Sequence, residues 1–291
     1  MKSAKAIIVA LIIAAIGLGI LALAGWGDTR SGGLPVMLAA GLIAFGLNWL
    51  VFIPSAIAKT EKFYDLTGSL TYMSVMAFAV LQSAPVDWRA LLVAGCVVIW
   101  SMRLGIFLFA RISEDKADQR FNEIKQNPAR FFVTWTLQGL WVSLTAACAL
   151  MVITTQTPQP VDLFLIIGLA MWVAGFAIEV IADNQKRAFK RDPANDGQFI
   201  QTGLWAWSRH PNYFGEILLW IGIAVTALPV LAGPQWVVLI SPVFVILLLT
   251  RVSGIPLLEK AADVRWGDNA AYQAYKARTP VLLMKPPSRA S

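Results

Sequence analysis

Glu179 and Asp183 stand four residues apart, and Lys186, Arg187, Lys190 and Arg191 continue at helical spacing, so one helix would carry acids and then cations along one face. That order suits a dinucleotide: carboxylates accept hydrogen bonds from ribose hydroxyls, while phosphates want Arg and Lys. Further along, Gly203-Leu204-Trp205 leads into Ser208-Arg209-His210-Pro211-Asn212-Tyr213-Phe214-Gly215-Glu216. His210 precedes a proline and is pushed toward extended geometry, whereas Pro211 suits a first helical turn. Backbone N–H groups there, with the side chains of Ser208, Arg209 and Asn212, predict an anion-binding corner. Glu216 follows one turn after Asn212 on the same face. The segment between, Arg191-Asp192-Pro193-Ala194-Asn195-Asp196-Gly197, has turn-rich composition. A purely structural reading covers the cations, through charge bias in loops and helix-end pairing, and it covers Asn212 as a helix cap. It does not cover Glu179, because a carboxylate at bilayer depth is costly.

The elements that must hold these residues are membrane helices. The 291 residues are 57% hydrophobic and only 14% charged, with mean hydropathy +0.64, whereas soluble domains carry about 25% charged residues. Apolar runs able to cross about 30 Å of hydrocarbon lie at residues 6–24, 34–57, 66–81, 90–110, 131–153, 163–182, 214–231 and 236–252, with the third and seventh the shortest. Lys and Arg collect in cytoplasmic loops. With the N-terminus inside, the inner segments hold Lys2 and Lys5; Lys59 and Lys62; Arg111, Lys116, Arg120, Lys125 and Arg130; Lys186, Arg187, Lys190, Arg191 and Arg209; and the tail from Arg251 to Arg289. The outer loops hold only Arg30 and Arg89. The expectation is an all-α polytopic bundle of about eight transmembrane helices, a seven-helix core plus an N-terminal helix, with both termini cytoplasmic. It forms one membrane-embedded domain, with a cytoplasmic cofactor loop at residues 183–213 and a cytoplasmic tail at residues 253–291. Ala22-Leu23-Ala24 after a basic start offers a rival reading of the first run as a cleaved signal, although the run is longer than a usual signal core.

Several features receive structural readings. Residues 111–130, including Glu114, Asp115, Asp118 and Glu123, read as a solvated helical connector, and the tail around Tyr272 and Tyr275 as a short amphipathic helix. Trp26, Trp49, Trp88, Trp205 and Trp236 fall near run ends, where amphipathic rings anchor. The pI near 9.6 follows from topology, so no nucleic-acid partner is expected. Cys96 and Cys148 lie in apolar runs and the chain has a single His, which argues against disulfides and metal chemistry. Gly17-Leu18-Gly19 lacks the third glycine and the strand-to-helix setting of a dinucleotide fingerprint. Arg103, inside a run, needs a partner such as Asp65, Glu179 or Glu216. Gln138 is expected to hydrogen-bond between helices.

The stretch from Glu179 to Glu216 resembles the C-terminal half of the steroid 5-alpha-reductase family, especially its bacterial membrane branch. Gly203-Leu204-Trp205 with Ser208 to Glu216 is the most specific marker, joined by Ser253-Gly254-Ile255-Pro256-Leu257-Leu258-Glu259-Lys260 and then Tyr272, Tyr275 and Thr279. With Arg103-Leu104-Gly105 and Leu137-Gln138-Gly139, the likeness covers roughly residues 65 to 283. The resemblance implies an all-helical membrane fold that binds NADPH from the cytoplasm and reduces a carbon–carbon double bond conjugated to a carbonyl. It implies cofactor contacts at Asp183, Lys190, Asn212, Glu216 and Arg251. Glu179 stands where the animal enzymes have asparagine, and Gln198 where they have arginine. For the Gln-Glu pair and tyrosine that hold the substrate carbonyl in those enzymes, this chain offers Tyr64-Asp65 and Trp100. Asp65, kept protonated by apolar surroundings, would donate to the carbonyl oxygen, and Trp100 offers an indole N–H that donates only.

The expectation is therefore a monomeric NADPH-dependent reductase of a lipophilic, steroid-like enone drawn from the bilayer, in a bacterial inner membrane. Its catalytic candidates are Tyr64, Asp65 and Trp100. Its cofactor candidates are Glu179, Asp183, Lys186, Arg187, Lys190, Arg191, Gln198, Ser208, Arg209, His210, Asn212, Tyr213, Glu216, Arg251 and Glu259, with no metal. Two alternatives stand beside it. Membrane methyltransferases that use S-adenosylmethionine share a phrase like Arg209-His210-Pro211 with Tyr213, Gly215 and a later acid, here Glu259. A non-enzymatic lipid carrier would need neither acids at membrane depth nor that phrase.

Overall fold

A computed structural model describes residues 3–115 and 121–287, with side chains described at 3–110 and 121–287. Eleven α-helices follow one another among these residues: α1 (Ser3–Ala24), α2 (Val36–Ile57), α3 (Tyr64–Gln82), α4 (Trp88–Asp115), α5 (Pro128–Thr145), α6 (Ala147–Thr154), α7 (Leu163–Arg191), α8 (Pro211–Ala227), α9 (Ile240–Leu247), α10 (Ile255–Trp266) and α11 (Ala270–Arg278). The only strands there are two-residue pieces, Arg30–Ser31 and Leu34–Pro35, paired antiparallel. The protein is all-helical, as expected. Among the described residues, six helical stretches are long and apolar enough to cross a membrane: Ser3–Ala24, Val36–Ile57, Trp88–Ala110, Leu163–Arg191, Pro211–Val230 and Gly233–Trp266. A seventh exists if α5 and α6, bent by 49° at their junction, make one crossing. The run expected at 66–81 does form a helix, the 19-residue α3. It stays below the apolarity of the others because Asp65, Thr67, Ser69, Thr71, Tyr72 and Ser74 interrupt it. Of the expected connector, Lys116, Asp118 and Arg120 lie outside the described residues, and the described part ends in a short 3-10 turn, Ile124–Gln126.

Contacts divide the chain into two compact units, Met1–Leu165 with Thr226–Ser241, and Ile166–Val225 with Pro242–Ser291. In the first, α1 and α2 pack along α5, and α3 packs along α4. Asn127 caps α5 by accepting from the N–H groups of Ala129 and Arg130, with Pro128 in the first turn. Gln138 Nε2 donates to Tyr64 O at 2.8 Å, the helix-to-helix bond expected of it. Arg103 lies over the Phe107 ring at 5.1 Å. Cys96 and Cys148 are buried and free. Arg89 departs from its expected place as a loop cation. It is 2% exposed, donates to Thr226 O at 2.9 Å and Pro160 O at 2.8 Å, and pairs with Asp162 at 2.8 Å. Asp28, also buried, accepts from Met37 N–H at 3.0 Å, and burial raises its carboxyl to about 6.

In the second unit, close approach of α7 and α8 decides the packing. A Cβ on Gly215 would meet Gly175 O at 2.5 Å, and one on Gly222 would meet Gly168 O at 2.5 Å. Both members of each contact are seven residues from the next, two helical turns, so the small residues form matched rows that let the backbones touch. α10 and α11 follow a π-helical turn, Leu248–Val252, and Asn269 caps α11 through Ala271 and Tyr272 N–H groups.

Candidate functional site

α7 is continuous through Arg191, so the face predicted from sequence exists as one rod. Glu179 is 3% exposed and Asp183 7% exposed, while Lys190 and Arg191 are exposed. Acids are therefore buried and the last cations open, in the order expected. The glycine row sets the depth of Glu179, because Gly215 lies against its backbone. One helical turn on, Asn212 Nδ2 donates to Asp183 Oδ1 at 3.2 Å. Glu216 lies a turn beyond Asn212 on α8 and is half-buried.

The phrase Gly203-Leu204-Trp205 docks onto α7. Gly203 has φ +59°, a conformation that favours glycine, and a Cβ there would run into the Gln185 amide. That amide accepts from Leu204 N–H at 2.9 Å, and the Trp205 indole donates to Ala182 O at 3.0 Å. Trp205 is 3% exposed, with Lys186 Nζ over its ring at 4.5 Å. It is a buried tie, which corrects its reading as a membrane anchor. Trp26, Trp88 and Trp236 remain exposed. Trp49 instead donates to Thr136 Oγ1 at 3.0 Å.

The Ser208–Asn212 corner is built differently from the anion site predicted for it. Ser208 is fully buried; its hydroxyl donates to Leu282 O at 2.9 Å and accepts from His210 N–H at 3.1 Å. Arg209 N–H donates to Pro280 O at 2.9 Å, and Lys285 N–H to Trp207 O at 3.0 Å, so the tail crosses residues 207–209 as a strap. The Arg209 guanidinium donates to Lys276 O at 2.9 Å and pairs with Glu259 at 2.9 Å. Glu259 also takes His210 Nε2 at 2.8 Å. The donors expected to meet an anion are thus largely spent inside the protein. Three buried atoms here have no hydrogen-bond partner among the described residues: His210 Nδ1, Asn212 Oδ1 and Arg209 Nε. Burial holds the His210 imidazole below its usual range, against the opposing pull of Glu259. At neutral pH the ring is uncharged, with its proton on Nε2 facing the carboxylate.

Tyr213 stacks on His210 with centroids 5.7 Å apart. Gln198 is exposed, and its amide donates to Ala194 O at 2.9 Å within its own turn. Arg251 is exposed on the π-helical turn. Around the loop, Tyr275 donates to Trp205 O at 2.7 Å, Trp266 to Gly197 O at 2.7 Å, and Arg278 to Gln201 Oε1 at 2.6 Å. The tail helix expected from Tyr272 and Tyr275 is α11, and its work is to hold this loop. Burial raises both phenols, that of Tyr272 to about 12, so Tyr275 stays a donor.

The carbonyl candidates belong to the first unit. Tyr64 donates its hydroxyl to Thr134 O at 3.0 Å and packs against Phe121 and Trp135, so its phenol is engaged structurally. Trp100 is fully buried, edge-on to Tyr72 at 5.2 Å. Asp65 is half-buried at the first turn of α3. Sequence reasoning missed the strap, which is made by backbone groups and leaves no residue signature, and it weighed Glu259 without its partners.

The chain is similar to a Schizosaccharomyces pombe protein, "Uncharacterized protein C594.04c", at 23% identity over 196 residues, covering 58% of this chain and 53% of that protein. The chain thus spans about half the length of that curated relative. No solved structure matches. A family model described as "Protein of unknown function (DUF1295)" matches residues 51–279. That match takes in the α7 strip, the Ser208–Glu216 phrase and Glu259 alike, and the chain belongs to the DUF1295 family.

Proposed function

We propose that this protein is an NADPH-dependent membrane reductase acting on a carbon–carbon double bond conjugated to a carbonyl, in a lipophilic, steroid-like substrate that arrives through the bilayer. The observation that carries the reading is the α7 rod with buried Glu179 and Asp183, exposed Lys190 and Arg191, and Asp183 tied to Asn212 of α8. Those groups fit a dinucleotide phosphate: cations for phosphates in water, and buried acceptors for hydroxyl and amide donors. When bound, NADPH would supply the hydride added to the β-carbon. Lys190, Arg191 and Arg251 would draw in the phosphates. Asp183, oriented by Asn212, would take a ribose hydroxyl, with Glu179 and Glu216 keeping that wall rich in acceptors. Asp65, in the first unit, is the residue to which the family resemblance assigns the substrate carbonyl; a protonated carboxyl there would donate its O–H to the oxygen on which charge develops. Tyr64 is set aside from that role because its hydroxyl is committed to Thr134.

In this reading the protein is a monomer of the bacterial inner membrane, with both termini and the Lys186–Arg191 end in the cytoplasm, as the Lys and Arg distribution favours. Counting α3, which at 1.5 Å per residue reaches about 28 Å, the crossings number eight. A second reading is a membrane methyltransferase using S-adenosylmethionine. It is favoured by one observation, the closure of Arg209 and His210 on the later acid Glu259. Melting of the detergent-solubilised protein with each cofactor separates the two. NADPH should raise the melting temperature, and Asn212→Ala and Glu216→Ala should abolish the shift. No response to any nicotinamide nucleotide overturns the reductase reading, and stabilisation by S-adenosylmethionine alone installs the other.

A further inference from the structure

The Ser208–Asn212 corner holds an imbalance between donors and acceptors that its own fold does not resolve. Ser208 hydroxyl, the N–H groups of Arg209 and His210, and two arms of the Arg209 guanidinium all have partners within the protein. His210 Nδ1 and Asn212 Oδ1 have none among the described residues, although His210 is 5% exposed. Glu259 fixes the tautomer: its carboxylate accepts from Nε2, so in the uncharged ring Nδ1 presents a bare lone pair. A buried acceptor left unmatched is costly, and such exceptions ask for an explanation. A phosphate cannot supply one. It brings acceptors to acceptors, and although the Arg209, Lys186 and Lys276 cations act on this corner beside the carboxylates of Glu259 and Asp183, their charge does not satisfy an unmatched lone pair. Arg209 Nε is one donor against those two acceptors.

We infer that the start of α8 receives an uncharged hydrogen-bond donor of the bound nucleotide, a ribose hydroxyl or an amide N–H₂, on His210 Nδ1, with Asn212 Oδ1 as a second acceptor. The inference rests on the NADPH reading and assigns to this corner the uncharged part of that molecule. Phosphates then belong to the exposed cations of α7. Glu259 is a positioning residue, acting through the imidazole.

Two substitutions separate the functions of the ring. His210→Gln places an amide near the former Nε2, toward Glu259, and removes the Nδ1 acceptor. His210→Asn keeps an oxygen near the former Nδ1 and gives up Glu259. Calorimetric titration of the full chain in detergent with NADPH, at low and high salt, should show about tenfold weaker binding for His210→Gln, as expected for one lost hydrogen bond, at both salt concentrations. His210→Asn should recover most of that loss. Lys190→Ala should weaken binding at low salt and little at high salt, because screening removes its contribution. The 3-acetylpyridine analogue of the cofactor, which has a methyl group in place of the amide N–H₂, identifies the donor. If the donor is the amide, the analogue binds parent and His210→Gln alike; if a hydroxyl, it distinguishes them as NADPH does. Undiminished binding by His210→Gln, or a loss that disappears at high salt, overturns the inference and leaves the reductase reading standing. A parent that binds no NADPH overturns both.

Discussion

Each unit of the molecule sets an arginine against a carboxylate, Arg89 fully buried and Arg209 partly so, and the two networks end differently. Arg89 spends its charge on Asp162 and two carbonyl oxygens, and no acceptor in that set is left waiting. Arg209 spends its charge on Glu259 and Lys276 O, yet the same cluster leaves His210 Nδ1 and Asn212 Oδ1 unmatched. Both guanidinium groups leave Nε without a partner among the described residues, so what differs is the acceptors: around Arg89 the bonds made fix one geometry. Around Arg209 two acceptors of neighbouring residues stay unmatched beside one carboxylate-bound imidazole, whereas Asp28 Oδ1, Asn48 Oδ1 and Gln138 Oε1 of the first unit are unmatched singly. Burial and charge alone would have ranked the two sites together, and the leftover acceptors separate them.

Substitutions should sharpen that contrast. Arg89→Met strands a carboxylate and two carbonyls, and should lower unfolding stability by about 3 kcal/mol while leaving the cofactor dissociation constant of the folded protein unchanged. Loss of NADPH affinity in Arg89→Met, measured by titration, would erase the distinction. Gly215→Ala pushes a methyl group into Gly175 O and the Glu179 backbone, and should cost about 2 kcal/mol through overpacking. Because it also moves Glu179, it should weaken cofactor binding, as thermal melts with and without NADPH would reveal. Ser208→Ala leaves the buried His210 N–H without its acceptor and should cost about 1–2 kcal/mol, read in the same melts.

The smallest effects concern pH, and the two units should respond with opposite sign. Asp28 has a folded-state pKa of about 6, above its ordinary 3.8, so its contribution is full below 3.8 and is lost as pH rises toward 6 and beyond. His210 has a folded-state pKa below its ordinary 6.5, so the unfolded chain takes up the proton first. Its contribution is full above 6.5 and declines as pH falls below that value. In melts across pH 4 to 8, Asp28→Asn should flatten the alkaline-going loss and His210→Gln the acid-going loss. A parent whose profile neither variant changes would remove both assignments.

Much of the second unit was legible in the chain. The acid-to-base order on α7 needed only helical spacing, and Pro211 and Asn212 announced the start of α8. The glycine rows were also readable, since Gly168 and Gly175 repeat at the interval of Gly215 and Gly222, but what they touch requires two helices in register. The character of the corner was not legible. Ser208 and Arg209 are residue types that bind anions, and only the fold shows that their donors face the tail and Glu259. Arg89 was hidden for a similar reason: a cation near a loop satisfies topology whether it is solvated or buried. At α3 the apolar count alone decides little, because hydroxyls that bond back onto neighbouring carbonyls, such as those of Thr67 and Thr71, lower its hydropathy while leaving a helix of membrane-crossing length.

The strap that crosses residues 207–209 bears on how the molecule comes to be made. The carbonyl groups of Pro280 and Leu282 and the amide of Lys285 close onto a phrase synthesised some seventy residues earlier. During translation α8 is complete while those partners are still inside the ribosome. The nascent corner therefore stays half-built while α8 enters the membrane, and it reaches its final shape only once the strap has left the ribosome.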